Sequence, residues 1–226
     1  MTTLFQYPPN AAFGRVLPKN KIYQHASPNS SVKELFVRQV EQITWQFKLA
    51  PETINIKGTK AVPEIQIFSI TLKEGELKND VLHCIDRAIP FPIFFELRFE
   101  ERIKPVASYK RPNEADSTKW VLSEYFEGKW IPGSVSRVPL PVVRDLSLLY
   151  AELFSPLLPY PPRPQESLKD SVERMECVRL KEKDLERCEA RLRKERQFNR
   201  KVEINAELRK LKKEFEELLS SPPVED

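Results

Sequence analysis

Glycine is scarce in this chain, five residues in 226, and histidine scarcer still, with only His25 and His83. Loops that cradle phosphate through bare backbone need glycine, and the sequence contains no GxxxxGK[ST], no Gly-rich dinucleotide turn, no GxSxG and no HExxH. That argues against NTPase and Rossmann-type activity. Cysteine is also sparse: Cys84, Cys177 and Cys188 are odd in number, widely spaced and without CxxC pairs or nearby histidines. Neither a disulfide framework nor a zinc site is supported, and three reduced thiols are expected. No apolar run approaches the roughly eighteen residues needed to span a bilayer, and the first residues lack the basic and apolar regions of a secretory signal. The expectation is a cytoplasmic protein with no membrane contact, no cofactor and no nameable catalytic residue.

What the chain does have is unevenly distributed. Aromatics gather in the front, and Glu, Lys, Arg and Leu gather at the back. The proline-rich stretch Pro156-Leu157-Leu158-Pro159-Tyr160-Pro161-Pro162-Arg163-Pro164 separates the two. The organisation read from this is a globular domain over 1–155, a linker over 156–165, a charged amphipathic helical tail over 166–219 and a disordered end over 220–226. About 155 residues suffice to bury a core.

Within the front part, residues 1–31 mix Pro8, Pro9, Pro18 and Pro28 with aromatics, which suits an extended arm laid over a core. Ser31 and Glu34 are spaced as a capping box, and Leu35, Phe36, Gln39, Val40, Ile43 and Phe47 follow at helical spacing, predicting a helix over 32–47. A short strand is expected over 53–57 and a clearer one over 65–72, where β-branched residues alternate. A helix over 78–89 ends at Pro90 and Pro92. Strands over 93–101, 103–110 and 119–126 follow, the last two joined by a loop over 111–118, and then a helix over 142–154. The fold class expected is α+β, a mixed and largely antiparallel sheet with packed helices, followed by a long C-terminal helix or coiled-coil tail.

Two polar groupings in the front part are weighed. His83, inside a helix next to Cys84, reads as a partly buried structural histidine, since no third group can be named to orient a Cys/His nucleophile. Glu64 and Gln66 open the best strand, and a Glu-x-Lys or Glu-x-Gln pair on a strand is one way nucleases hold a divalent metal. Such a site needs hard oxygen ligands from further elements. Glu41 from the helix and Glu52 from a loop are the other acids available. Glu64 is thus the weak metal candidate, and the plainer expectation is a solvent-facing polar pair on an edge strand.

The tail carries Leu168, Val172, Met175, Leu185, Cys188, Leu192 and Val202 as one stripe and Ile204, Leu208, Leu211, Phe215 and Leu218 as a second. At about 100° per residue the two stripes lie on opposite sides of a continuous helix. Such a helix kinks near 197–205 or docks its halves on different surfaces. Leu185, Leu192, Phe198, Val202, Ile204, Leu208, Leu211, Phe215 and Leu218 are therefore the candidate partner-binding residues. Around the same junction Arg187, Arg191, Arg193, Lys194, Arg196, Arg200 and Lys201 face only Glu189 and Glu195, seven against two, a surplus of five positive charges. On one continuous helix Arg193, Arg196 and Arg200 share a side, and Arg187, Arg191, Lys194 and Lys201 share another with Phe198. With Asn199, these basic residues are candidates for contact with DNA or RNA phosphates. The competing reading is a solvated coiled-coil face.

Several segments resemble one family. Val16-Leu17-Pro18-Lys19-Asn20-Lys21-Ile22-Tyr23, the run from Ile43 through Trp45 and Pro51 to Asn55, Glu64-Ile65-Gln66-Ile67-Phe68 and the tail motif from Lys194 through Phe198 to Asn205 are similar to domain-of-unknown-function family 4391 of bacterial proteins. The resemblance covers the whole chain. It implies a companion of helicases and DNA methyltransferases in restriction-like or anti-phage defence clusters, and no catalytic residues are carried over. The function expected is a non-enzymatic accessory or scaffolding subunit that holds a helicase or methyltransferase through its tail. The alternatives are a nucleic-acid-binding subunit using residues 187–201 and a divalent-metal-dependent nuclease.

Overall fold

The computed structural model describes residues 2–113, 115–116 and 119–220, so the end over 221–226 and parts of the 111–118 loop lie outside the described residues. The chain forms two compact units, Met1–Leu157 and Leu158–Asp226. Among the described residues, no helix is long and apolar enough to cross a membrane.

The first unit is α+β, as the alternation of strand and helix patterns implies. Its strands are β1 (Phe5–Gln6), β2 (Ala12–Val16), β3 (Val40–Leu49), β4 (Ile65–Leu72), β5 (Ile93–Phe99), β6 (Arg102–Pro112), β7 (Trp120–Glu127), β8 (Ile131–Pro132) and β9 (Val138–Pro139). The main sheet runs β2-β3-β4-β5-β6-β7, with β8 also paired to β6. All pairings in it are antiparallel except β4 with β5. That parallel pair needs a crossover, which the helix α4, introduced below, provides. A second, two-stranded parallel pair joins β1 to β9.

The helices of this unit are α1 (Lys19–Ala26), α2 (Ser30–Gln39), α3 (Pro51–Ile54), α4 (Asn79–Ala88) and α5 (Leu146–Phe154). Ile22 of α1, Phe36 of α2 and Val81, Leu82 and Ile85 of α4 form one core with Phe68, Ile70, Phe95 and Leu97 of the sheet. On α5, Tyr150 and Phe154 pack edge-on against Phe94, Phe154 also edge-on against Tyr109 and Phe126, and Tyr150 stacks on Tyr109. Both faces of β4 are therefore covered, which is why its side chains are buried almost without alternation.

Several local expectations are corrected. The residues 1–31 are not an extended arm: β2 pairs with β3, and α1 follows. The helix expected over 32–47 ends at Gln39, and its N-cap is Asn29, whose side chain accepts from Val32 N at 2.9 Å. The chain then passes without a loop into β3. Apolar spacing from Leu35 to Phe47 fits both periods, but Ile43-Thr44-Trp45-Gln46-Phe47 is β-branched and aromatic, and the two ladders on β3 decide the matter. Lys19 Nζ seals the helix end by donating to the Phe36 and Val40 carbonyls at 2.9 and 2.6 Å. The strand expected over 53–57 is instead the helical turn α3, beginning at Pro51, where a fixed φ suits the first helical position.

Within the described residues of the first unit, buried charge is concentrated at two places. Lys110 of β6 and Asp86 of α4 each have 1% of the side chain exposed and face each other at 3.5 Å. Lys110 Nζ also donates to the Asp86 and Ile89 carbonyls, and Tyr125 Oη donates to Asp86 Oδ2 at 2.6 Å. Burial pushes the Asp86 carboxyl up to about 6 against the opposing pull of Lys110 and Tyr125, and burial lowers Lys110. Elsewhere, Arg137 forms a two-pronged pair with Glu96, both contacts 2.7 Å, while Arg98 reaches Glu96 and Ser69.

Candidate nucleic-acid interface at a hairpin tip

The second unit is a helical hairpin of α6 (Leu168–Lys194) and α7 (Phe198–Ser220). Ser167 caps α6, its hydroxyl accepting from Asp170 N at 3.2 Å. At the base, Arg174 grips Glu166 at 2.7 and 2.8 Å and the Pro161 carbonyl at 3.0 Å, and Arg163 donates to the Leu218 carbonyl. Burial acts to raise the Glu166 carboxyl, but the Arg174 hydrogen bonds and the Arg163 amide outweigh it and hold it at about 2.

The two offset stripes now have a single explanation. Helix α6 stops at Lys194, three residues turn the chain, and α7 runs back along α6, so that stripes pointing in opposite directions on one helix face each other across two. Cys188 of the first meets Ile204 and Leu208 of the second, with Leu185, Leu192 and Leu211 packed around them. Cys188 Sγ lies 3.7 Å from the Ile204 carbonyl oxygen. Flanking pairs set the antiparallel register: Lys181 with Glu214, Glu189 with Lys212 at 3.3 Å, and Arg191 with Glu207 at 3.0 Å.

The turn is held by Glu195. Its Oε1 accepts from Arg196 N at 2.7 Å and Gln197 N at 2.9 Å, and these backbone bonds hold its carboxyl below the usual range. A carboxylate ahead of a helix start also suits the dipole of α7. In the sequence Glu195 shows only as a charge, because its capping role depends on where the chain turns.

Of the candidate partner-binding residues, Ile204 and Leu208 are buried, and Leu185, Leu192, Leu211, Phe215 and Leu218 are half-buried. Two residues do not follow the stripes. Phe198 is 78% exposed and Val202 53%. Phe198 opens α7 beside the turn, and Val202 lies one turn further on.

The basic candidates also divide. Arg191 is neutralised by Glu207, and Arg187 lies 3.6 Å from Asp184. Arg193, Lys194, Arg196, Arg200 and Lys201 are exposed and, among the described residues, make no ion pair. The expected sharing of faces on one continuous helix is corrected, because Arg193 and Lys194 end α6, Arg196 lies in the turn, and Arg200 and Lys201 with Asn199 begin α7. The break gathers them around a tip. An open groove there is lined by Lys194, Arg200 and Arg191 together with Glu195, Glu203 and Glu207.

The front-unit candidates behave differently. Glu64 accepts from Lys48 at 3.1 Å and from Gln66 at 2.5 Å, and Lys48 is shared with Glu52 at 2.8 Å. Among the described residues, no three His, Cys, Asp or Glu side chains form a metal-binding group. The expectation of a solvent-facing pair on an edge strand is overturned, since β4 is central and Gln66 is 1% exposed. His83 is exposed rather than partly buried, set edge-on to Tyr125 with ring centres 6.2 Å apart. All three cysteines are free thiols.

One family model, Domain of unknown function (DUF4391), matches residues 5–215. No curated protein and no solved structure matches the chain.

Proposed function

We propose, for a chain that belongs to domain-of-unknown-function family 4391, that it is a non-enzymatic accessory subunit of a bacterial DNA-processing or anti-phage assembly and meets nucleic acid with the tip of its helical hairpin. The observation that carries this reading is the tip itself: five exposed cations, none in an ion pair among the described residues although Glu195 acts on Arg200 and Lys201, around the exposed ring of Phe198. Free cations release counterions when they neutralise phosphates, whereas cations already paired, such as Arg191, gain little. An exposed aromatic among them offers a surface on which a base can stack. The closed apolar seam supports the same reading, because Ile204 and Leu208 are spent within the hairpin and cannot anchor a partner without opening it.

The test is fluorescence anisotropy of the full chain with labelled single-stranded and duplex oligonucleotides across a salt series. Substituting Arg193, Arg196 and Arg200 together by Ala lowers the slope of log affinity against log salt by about 0.7 to 0.9 per lost phosphate contact. If the triple variant binds as tightly as the parent, the reading fails.

A second reading has its own support in Phe198 and Val202, an exposed apolar pair on the first turns of α7. It makes the tip the handle for a protein partner, and the family resemblance suggests a helicase or DNA methyltransferase in the bacterial cytoplasm. Co-purification that survives loss of the five cations but not Phe198→Asp supports it.

A further inference from the structure

The front unit contains a polar group that neither the fold nor the hairpin tip explains. Gln66 on β4 is 1% exposed, and its Oε1 has no hydrogen-bond partner. Buried acceptors are almost always satisfied, because leaving one bare forfeits the hydrogen bond it made to water. The orientation of the amide is fixed by its neighbour. Nε2 donates to Glu64 Oε1 at 2.5 Å, and Glu64 is in turn held by Lys48 at 3.1 Å, so the oxygen is the end left over.

Gln66 and Glu64 both line a cavity of about 270 Å³ whose other walls include Ile22, Trp45, Phe68 and Phe91. Its aromatic wall is set in place: Trp45 Nε1 donates to the Phe47 carbonyl at 3.2 Å, and the Trp45 ring is stacked on Phe68 at 5.9 Å and 14°. Water fills such a space poorly. A water occupies about 30 Å³ and needs two to four polar partners, and these walls are mostly apolar. Apolar walls with a few convergent polar groups are the usual make-up of a small-molecule site.

We propose that this cavity is a binding site for a planar aromatic heterocycle bearing an exocyclic amino group, of the nucleobase class. The ring fits against Trp45 and Phe68, where flat faces stack favourably. The amino group supplies two hydrogens, one for Gln66 Oε1 and one for a lone pair that Lys48 and Gln66 leave free on Glu64. At Gln66 and Glu64 an acceptor in place of the amino group sets lone pair against lone pair, whereas Lys21 and His25, which also line the cavity, can serve the ring nitrogens. The site lies wholly in the first unit, and nothing in it depends on the proposal for the hairpin tip.

The experiment is isothermal titration of the full chain with 9-methyladenine, whose N–H donors are those of its amino group, and with 9-methylpurine, which has none. Saturable binding of 9-methyladenine is expected, at least about tenfold tighter than 9-methylpurine, since two hydrogen bonds are gained and one goes to a carboxylate. Gln66→Leu weakens 9-methyladenine and narrows its lead over 9-methylpurine, the remaining preference coming from the hydrogen bond to Glu64. Ala88→Leu, which grows a side chain into the cavity from α4, abolishes binding of both, with thermal melting used to verify that the variant is folded. Absence of saturable binding by the parent chain overturns the proposal. Equal affinity for the two heterocycles also overturns it, by reducing the site to an unselective apolar hollow. The comparison of the two heterocycles uses the unaltered chain and stands even if Gln66→Leu does not fold.

Discussion

Cys188 and Ile204, sixteen residues apart in sequence, lie across the hairpin from each other with Cys188 Sγ 3.7 Å from the Ile204 carbonyl oxygen. That single approach converts a helix with two incompatible faces into a pair of helices with one shared seam.

Opening the seam has a defined signature. Leu208→Asp places a carboxylate among Cys188, Ile204 and Leu211, at a cost of several kcal/mol when it is ionised. Amides across Phe198–Ser220 then exchange faster by hydrogen exchange, while those of β3 to β6 stay protected. Loss of a partner in this variant therefore reports an opened hairpin, and Phe198→Ala, with an exposed ring, is the cleaner probe of a surface contact.

The tip cations are unequal. Arg200→Ala weakens oligonucleotide binding and lowers the salt slope, whereas Arg191→Ala changes the slope little because Glu207 already compensates that charge. Phe198→Ala weakens single-stranded binding by about 1 to 3 kcal/mol, the range for loss of one stacked base, and duplex binding by less. Anisotropy titrations at fixed salt measure both. Equal losses at Arg191 and Arg200 contradict this division.

Asp86 and Lys110 stabilise the first unit only as a pair. Lys110→Met strands a buried carboxylate and costs about 3 to 5 kcal/mol, while the double replacement Asp86→Leu with Lys110→Met costs less than Lys110→Met alone. The carboxyl is raised to about 6 from an ordinary 3.8, so the folded state holds the proton more tightly than the unfolded chain. Its contribution is complete below about pH 3.8 and is lost as pH rises through 6. Urea titrations across that interval are predicted to show a flatter pH dependence in Asp86→Asn.

Glu166 has the opposite sign. Its carboxyl is held at about 2 against an ordinary 4.5, so its contribution is present above about pH 4.5 and disappears as pH falls through 2. Glu166→Gln is expected to destabilise the hairpin at pH 7, by on the order of 3 kcal/mol at most, and to remove that acid-limb sensitivity. Thermal melts of the variant and parent at pH 7 and pH 3 decide it.

Much of the front unit was legible because local signals agreed. The β-branched alternation from Ile65 to Leu72, the helix ended by Pro90 and the strands around Phe95 and Val106 each carry their own period. Where two periods coexist, as from Leu35 to Phe47, the sequence could not choose. The ladders to β2 and β4 chose, because hydrogen bonds to distant strands outweigh a weak local preference. Gln66 was read as solvent-facing for the same reason, since the covering of both sheet faces is not written in β4 itself.

In the second unit the sequence alone determined the two opposed stripes, the break between them and the surplus of positive charge around it, because each follows from residue spacing. The tertiary structure decided what those features mean. Folding α7 back on α6 consumed the apolar stripes and paired Arg191 with Glu207, and it left Arg193, Lys194, Arg196, Arg200, Lys201 and Phe198 exposed at the tip. Spacing within one helix sets which side chains share a face, whereas which faces meet depends on where the chain turns.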